Sequence, residues 1–429
     1  MCDDTLPSEV EIAVVGGGFS GIGMAMRLRR MGVESFMVLE AVYDELEERW
    51  RLRTSGGTLT ARILIWATGP LSESRIPDLP GLADFGGEVF HSATWDHDYD
   101  LRDKRVAVVG TGASAVQFVP QIQPLVAELH LYQRTAPWVL PRHDRPVPDR
   151  RRRLFRRFPA VQRLVRMGVY LRLEVLIGPV VLGRSRRRRR LLEHVALAHL
   201  AEQVPDPDLR ARLRPDYRIG CKRILISDDY YPALTRPNVE VISAAACELR
   251  GDEVVDERGG ARGVDAVIFG TGFQAAEPSY ASRIRGIGGV RLSDAWEEAA
   301  AAYLGSTVSG FPNMFMLIGP NTTLGHNSMV YMIESHVQYV GEAVRFLERP
   351  GVGTVDVRPD VLARFNDRLQ AEMATTAWVA GGCTSWYLDH RGRNTTLWSG
   401  RTPAFRRLTR RFHPADYTVR ARRRAGAPM

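Results

Sequence analysis

Short apolar runs alternate with helical periodicity along most of this chain, and two of the runs end in glycine-rich turns. Glu11 to Val15 reads as a strand, and Gly16, Gly18 and Gly21 follow it on the spacing GxGxxG. A helix-like run through Arg30 comes next, then a third apolar segment, Ser35 to Leu39, ending at Glu40. Lys104 to Val109 repeats the pattern, with Gly110, Gly112 and Ala115 on GxGxxA ahead of a second helical run that carries Ser114 and Gln117 in its first turns. Strand, tight turn and helix in this order form the βα unit in which bare helix-terminal N–H groups face a pyrophosphate.

The position 19 residues beyond each third small residue separates the two copies. In the first it is Glu40, a carboxylate suited to a ribose 2′-OH. In the second it is Arg134, followed by Thr135, and a guanidinium there suits a 2′-phosphate. The pair predicts an α/β chain with two Rossmann-like domains, one of the FAD or NAD kind and one of the NADP kind.

Further elements follow from the same patterns. Arg49 to Thr54 and Thr58 to Arg62 read as a hairpin, and Ile63 to Trp66 as a strand ending in Ala67-Thr68-Gly69. Val239 to Ile242 and Val264 to Phe269 are strands, the second ending in Gly270-Thr271-Gly272-Phe273, an echo of the first return turn. Asn313 to Ile318 reads as a strand running into Gly319-Pro320-Asn321, and a long helix runs from Ser328 to Leu347. Placing Gly270 to Phe273 with the first turn predicts a nucleotide domain of residues 1–100 and 264–429, with 101–263 inserted as the second domain and a helical insert over about 143–212.

At 429 residues and 45% hydrophobic composition, two or three domains can each bury a core. Four cysteines without CxxC or metal-ligand spacing fit a reducing compartment, and the polar start MCDDTLPSEVE lacks a signal-peptide pattern, so a cytoplasmic protein without a metal is expected. The excess of 58 Lys+Arg over 49 Asp+Glu is clustered rather than spread over a face, which argues against nucleic acid. Most of it lies at 150–157, 186–190 and 422–424, flanking apolar helical sequence. Two interpretations stand for 150–190: a helical insert with solvated basic ends, or a weak peripheral contact with an anionic membrane.

Phe85, Gly87, His91, Trp95 and Asp96, set between the two glycine turns on FxGxxxHxxxW(P/D), resemble the fingerprint of the Baeyer–Villiger monooxygenases and their class B flavin monooxygenase relatives. Gly220-Cys221-Lys222-Arg223, Asp229-Tyr230-Tyr231 and Cys383-Thr384-Ser385-Trp386-Tyr387 extend the resemblance over residues 8–417. It implies FAD in the first domain, NADPH in the second, and insertion of one oxygen of O2 into a ketone or soft heteroatom through a flavin peroxide. It implies also that Arg223 is the active-site arginine and that Lys222 with Arg134 holds the NADP phosphate. Trp386 would then face the nicotinamide half, with Asn321, Ser328 and Met329 near the flavin. His91 falls in the connection between domains, where it reads as a latch rather than an acid or base.

One departure stands out. Only 26 residues separate Glu40 from Ala67, where the resembled family carries a long segment with GGTW and YPGxxCD motifs. Its loss removes flavin contacts, an edge strand and the carboxylate partner expected for Arg223. Impaired oxygenation, or a silent NADPH-binding relic, is the expected consequence.

Overall fold

The computed structural model describes residues 7–28, 35–36, 40–383 and 385–422. The expected strand residues 37–39, the helix end at Arg30, Cys2, Thr384 and the arginines at 423–424 lie outside them. The chain divides into two compact units. The first takes in residues 1–73, 274–379 and 386–429, and the second 74–273 and 380–385.

In the first unit β1 (Glu9–Val15) leads through the Gly16–Gly21 turn into α1 (Phe19–Leu28), and β2 (Ser35–Phe36) returns parallel to β1. The chain then forms β3 (Glu40–Asp44), β4 (Arg49–Thr54) and β5 (Gly57–Trp66) as an antiparallel meander. The expected hairpin and return strand are therefore continuous. Gly57 to Trp66 is one strand, whose first half, Gly57 to Ala61, pairs with β4 while Thr60 to Trp66 runs parallel to β1. Ile63, Leu64 and Ile65 are buried on both faces, as a central parallel strand requires.

The second unit holds β6 (Glu88–His91), β7 (Arg105–Val109), α2 (Ala113–Ile122), β8 (Glu128–Tyr132) and β9 (Val139–Leu140). The helical insert follows: α3 (Asp149–Arg157), α4 (Pro159–Leu176), α5 (Gly178–Val181), α6 (Arg186–Gln203) and α7 (Pro207–Arg212). Next come β10 (Leu225–Ile226), α8 (Tyr230–Leu234), β11 (Val239–Ile242), a three-stranded antiparallel sheet of β12 (Ala246–Arg250), β13 (Glu253–Asp256) and β14 (Ala261–Gly263), and β15 (Ala266–Phe269). The main sheet is parallel throughout, in the order β11-β8-β7-β15-β6.

This order corrects the predicted domain boundaries. β15 pairs with β7, Val267 opposite Ala107, and with β6, Val267 opposite Val89, so residues 264–273 belong with the second glycine turn. The fingerprint residues 85–96 lie in the second unit too. The boundaries fall at 73 and 273 rather than 100 and 263. The echo between Ala67-Thr68-Gly69 and Gly270-Thr271-Gly272 has a structural basis: each follows the return strand of its own sheet, β5 beside β1 and β15 beside β7.

The chain re-enters the first unit with β16 (Ile284–Arg285), which pairs with β3, α9 (Leu292–Ala295) and β17 (Met314–Met316), which pairs with β5. α10 (Met329–Leu347), β18 (Val352–Val357), α11 (Pro359–Met373), α12 (Ala377–Ala380), α13 (Thr402–Leu408) and β19 (Tyr417–Ala421) complete it. The parallel core thus reads β2-β1-β5-β17, and β2, two residues long, has β1 as its one neighbour among the described residues.

Candidate nucleotide sites

The three glycines of the first turn are needed for three different steric reasons. Gly16 has φ +116°, and a Cβ there would stand 2.6 Å from the carbonyl oxygen of Ala67. At Gly21 a Cβ would fall 1.7 Å from the carbonyl oxygen of Gly16, so only glycine lets α1 start this close to the turn. Around Gly18, by contrast, a Cβ would meet nothing within 4 Å, leaving bare backbone open to a ligand. Tight turn, open approach and close helix packing are what a pyrophosphate cradle requires. Beside it, at the end of β5, Trp66 Nε1 and Thr68 Oγ1 are buried polar atoms without a partner.

Glu40 does not belong to this cradle. It opens β3, directly across from Arg53, and its carboxylate lies 3.1 Å from that guanidinium. Arg53 in turn pairs with Thr58, eight residues back along β5 from Trp66 at the cradle, which is about 26 Å of strand. The ribose role expected for Glu40 is overturned by register: the residue sits at the far end of the sheet. Helix α1 also lacks part of its packing, since Phe19, Ile22 and Met26, spaced i, i+3 and i+7, are 80%, 54% and 68% exposed.

Elsewhere in this unit, α10 is capped by Ser328, whose side chain accepts no first-turn N–H while its carbonyl accepts that of Tyr331. Met329 accepts the Leu324 N–H on its sulfur. Asn321, left-handed at φ +56°, donates from Nδ2 to the carbonyls of Asn394 and Leu397, while its buried Oδ1 has no partner. Ile318 is strained, with φ +60° on a β-branched residue. His336 pins it: Nδ1 accepts the Ile318 N–H at 2.9 Å and Nε2 donates to the Leu304 carbonyl at 2.8 Å. Complete burial, partly offset by the Leu304 carbonyl, pushes the His336 pKa down to about 4. Trp386 is half-buried, its ring 4.5 Å from that of Tyr387.

The second unit repeats the cradle. Gly110 has φ +108°, and a Cβ there would lie 2.7 Å from the Gly270 carbonyl oxygen. Ala115 fills the third place with its methyl against Gly270, and Gly112 caps α2 without a side-chain hydrogen bond. Thr111 donates from Oγ1 to the Thr135 carbonyl at 3.0 Å, which ties the loop after β8 to the turn. That loop presents Arg134 to solvent. Lys222 stands with its Nζ 5.0 Å over the Tyr217 ring, and burial first, then the Arg134 guanidinium, hold its pKa below the ordinary lysine value. Neither cation makes an ion pair with the described residues. Ser114 is half-buried, and Gln117 is exposed with its amide donating to the Ala113 carbonyl. Arg223 is exposed and likewise without an ion pair among the described residues.

The fingerprint residues pack this sheet. A Cβ on Gly87 would lie 2.4 Å from the Asp265 carbonyl oxygen, so glycine lets β6 approach β15. Phe85 packs in the core beneath β6, Trp95 meets Phe90 and Phe118 of α2 edge-on, and Asp96 accepts the N–H groups of Asp98 and Tyr99. His91 is 1% exposed, accepts the Ala93 N–H on Nδ1 and packs edge-on against Phe273. Burial lowers its pKa, partly offset by the Gly272 backbone, so the ring is neutral. Tyr230 and Tyr231 are core residues.

Two features escaped the sequence. Tyr217 beneath Lys222 is one. The other is a disulfide between Cys221 and Cys383, 162 residues apart. No cluster of metal-ligating side chains occurs among the described residues, and none of their helices is long and apolar enough to cross a membrane.

Two sheets, each carrying a glycine cradle backed by its own return strand, define a protein of the two-dinucleotide oxidoreductase class. Residues 41–155 match the profile of the pyridine nucleotide-disulphide oxidoreductases. A Baeyer–Villiger monooxygenase of Pseudomonas aeruginosa is 41% identical over 485 positions, covering 95% of this chain and 91% of the relative. One of Streptomyces coelicolor is 40% identical, covering 96% and 92%. The chain belongs to the Baeyer–Villiger monooxygenase family. Its fold is that of the crystal structure of cyclohexanone monooxygenase from Rhodococcus sp. Phi1 bound to NADP+, with a TM-score of 0.85, 21% identity, and coverage of 97% of this chain and 100% of that one. In the alignment to the P. aeruginosa relative, about 77 of the 485 positions find no residue in this chain.

Proposed function

We propose that this chain is a FAD- and NADPH-dependent monooxygenase with a complete NADPH site and a FAD site reduced to the cradle for the ADP half. The duplicated glycine geometry carries the proposal. In the second unit, N–H groups at the start of α2 receive the pyrophosphate, and Arg134 with Lys222 takes the 2′-phosphate. In the first, the backbone around Gly18 receives the other pyrophosphate, and the bare start of α10 at Ser328 and Met329 favours negative charge. FAD, when bound, would supply the redox chemistry that inserts one oxygen of O2 into a ketone or soft heteroatom. Arg223 offers an exposed guanidinium, and Trp386 a flat apolar face. His91, neutral and wedged against Phe273, acts as a structural latch next to the crossing at 273.

A second reading, a silent NADPH-binding relic, is favoured by Glu40 standing at the wrong end of its sheet and by the uncovered face of α1. Purification with added FAD, removal of free cofactor, and assay of NADPH oxidation with a simple ketone and a thioether separate the two. The expected result is firm NADPH binding, substoichiometric FAD and little product. NADPH binding with no FAD and no product selects the relic. Tightly bound stoichiometric FAD with product formation would show that the shortened domain suffices, and equal affinity for NADH and NADPH would overturn the cation-pair site.

A further inference from the structure

Between Asp149 and Arg190 the sequence carries fifteen arginines against two carboxylates, a local charge of +13, while the whole chain is +9. The remaining residues are therefore net −4, and the basic character of the protein resides in this one insert. Its longest exposed element, α4, is 18 residues, about 27 Å long. Leu164, Met167, Leu171 and Val175 recur at intervals of three and four, so they share one face, and they are 71%, 54%, 49% and 50% exposed. Arg163, Arg166 and Arg172 project from the same helix, and Glu174 is its single buried residue. Phe158, just before the helix, is half exposed. A helix that exposes its apolar stripe would normally bury it against its own protein.

We propose that α4 with its arginine-rich flanks is a docking surface for an anionic lipid bilayer, on which the helix lies in the plane of the headgroups. Charge complementarity selects this occupant. A second copy would bring +13 against +13 across the stripe, whereas anionic headgroups meet the arginines and the acyl boundary takes the leucines. A nucleic acid would satisfy the arginines and leave Leu164, Met167 and Leu171 in water. No described helix crosses a membrane, so the contact is peripheral.

The test is co-sedimentation of the full chain with vesicles of phosphatidylcholine alone or with about 30% phosphatidylserine. Binding should rise at least about tenfold with phosphatidylserine in 0.1 M salt and fall again in about 1 M salt. The double variant Leu164→Glu/Leu171→Glu, at exposed positions, should lower binding by about tenfold or more and leave NADPH binding unchanged. Equal binding to both vesicle types, or full binding by the double variant, would overturn the proposal. So would self-association that the double variant abolishes, or binding of duplex DNA in place of vesicles.

Discussion

The 2′-phosphate role proposed for Arg134 rests on its distance to Ala115 and on its exposed place in the loop that Thr111 ties to the second glycine turn. A charge-assisted hydrogen bond to a 2′-phosphate contributes about 1.5 to 3 kcal/mol, so Arg134→Ala should weaken NADPH roughly 10- to 150-fold and leave NADH nearly unchanged in a fluorescence titration. Equal losses would mean that Arg134 supports the loop rather than the phosphate. Glu40 had the same spacing and failed, because the count runs through a stretch where the chain leaves the nucleotide sheet for a meander, and sequence distance then says nothing of register. His336 could not be read from sequence at all, as its partners Leu304 and Ile318 come from a distant loop and the turn after β17. Its folded pKa of about 4 lies below the unfolded value of about 6.5, so its contribution is complete above pH 6.5 and is lost as the pH falls toward 4, on the order of 2 to 3 kcal/mol. Burial raises the Asp356 pKa to about 6, with the opposite sign over much of that range, so acidification of the wild type partly cancels. Urea midpoints at pH 7 and 4.5 should therefore fall less for His336→Gln than for the wild type. Identical differences would exclude the histidine.

At the scale of elements, the glycine turns were the most legible parts of the fold because their constraints are local steric ones. The same sterics separate two substitutions three residues apart. Gly21→Ala forces a methyl onto the Gly16 carbonyl and should prevent α1 from docking, seen as a large fall in melting temperature. Gly18→Ala meets nothing in the protein and should melt within about 2 °C of wild type, yet bind FAD more weakly in an equilibrium titration with excess FAD, since its methyl would occupy the approach to the pyrophosphate. An unchanged titration in Gly18→Ala would place the ligand elsewhere. The strand Ala266–Phe269 was recognisable as a strand and misplaced by domain. Its apolar run fits a central position in either sheet, and the choice is made by Gly270 packing against Ala115, a contact invisible in one dimension.

On the scale of the whole molecule, the short stretch between Glu40 and Ala67 was readable because the motifs on both sides are intact, and in the proposed function it is the limit on activity. In the described residues β2 has β1 as its one neighbour, and α1 leaves Phe19, Ile22 and Met26 in water. Restoring the segment should supply three things together: a neighbour for β2, a cover for the α1 stripe and a carboxylate near the ribose of FAD. We would replace the stretch between Glu40 and Ala67 by the longer corresponding stretch of the P. aeruginosa relative, giving a spliced chain, and compare the two chains after gel filtration in FAD-free buffer. The native chain should lose its FAD and bind an apolar fluorescent dye through α1. The spliced chain should retain FAD near one per chain, bind less dye and oxidise NADPH in the presence of a ketone. Triple substitution of Phe19, Ile22 and Met26 by polar residues should remove the dye signal from the native chain without restoring FAD, because covering or deleting apolar surface does not rebuild the ribose contact. If the native chain already retains FAD stoichiometrically, the short domain is sufficient as it stands and the exposed stripe of α1 has another partner.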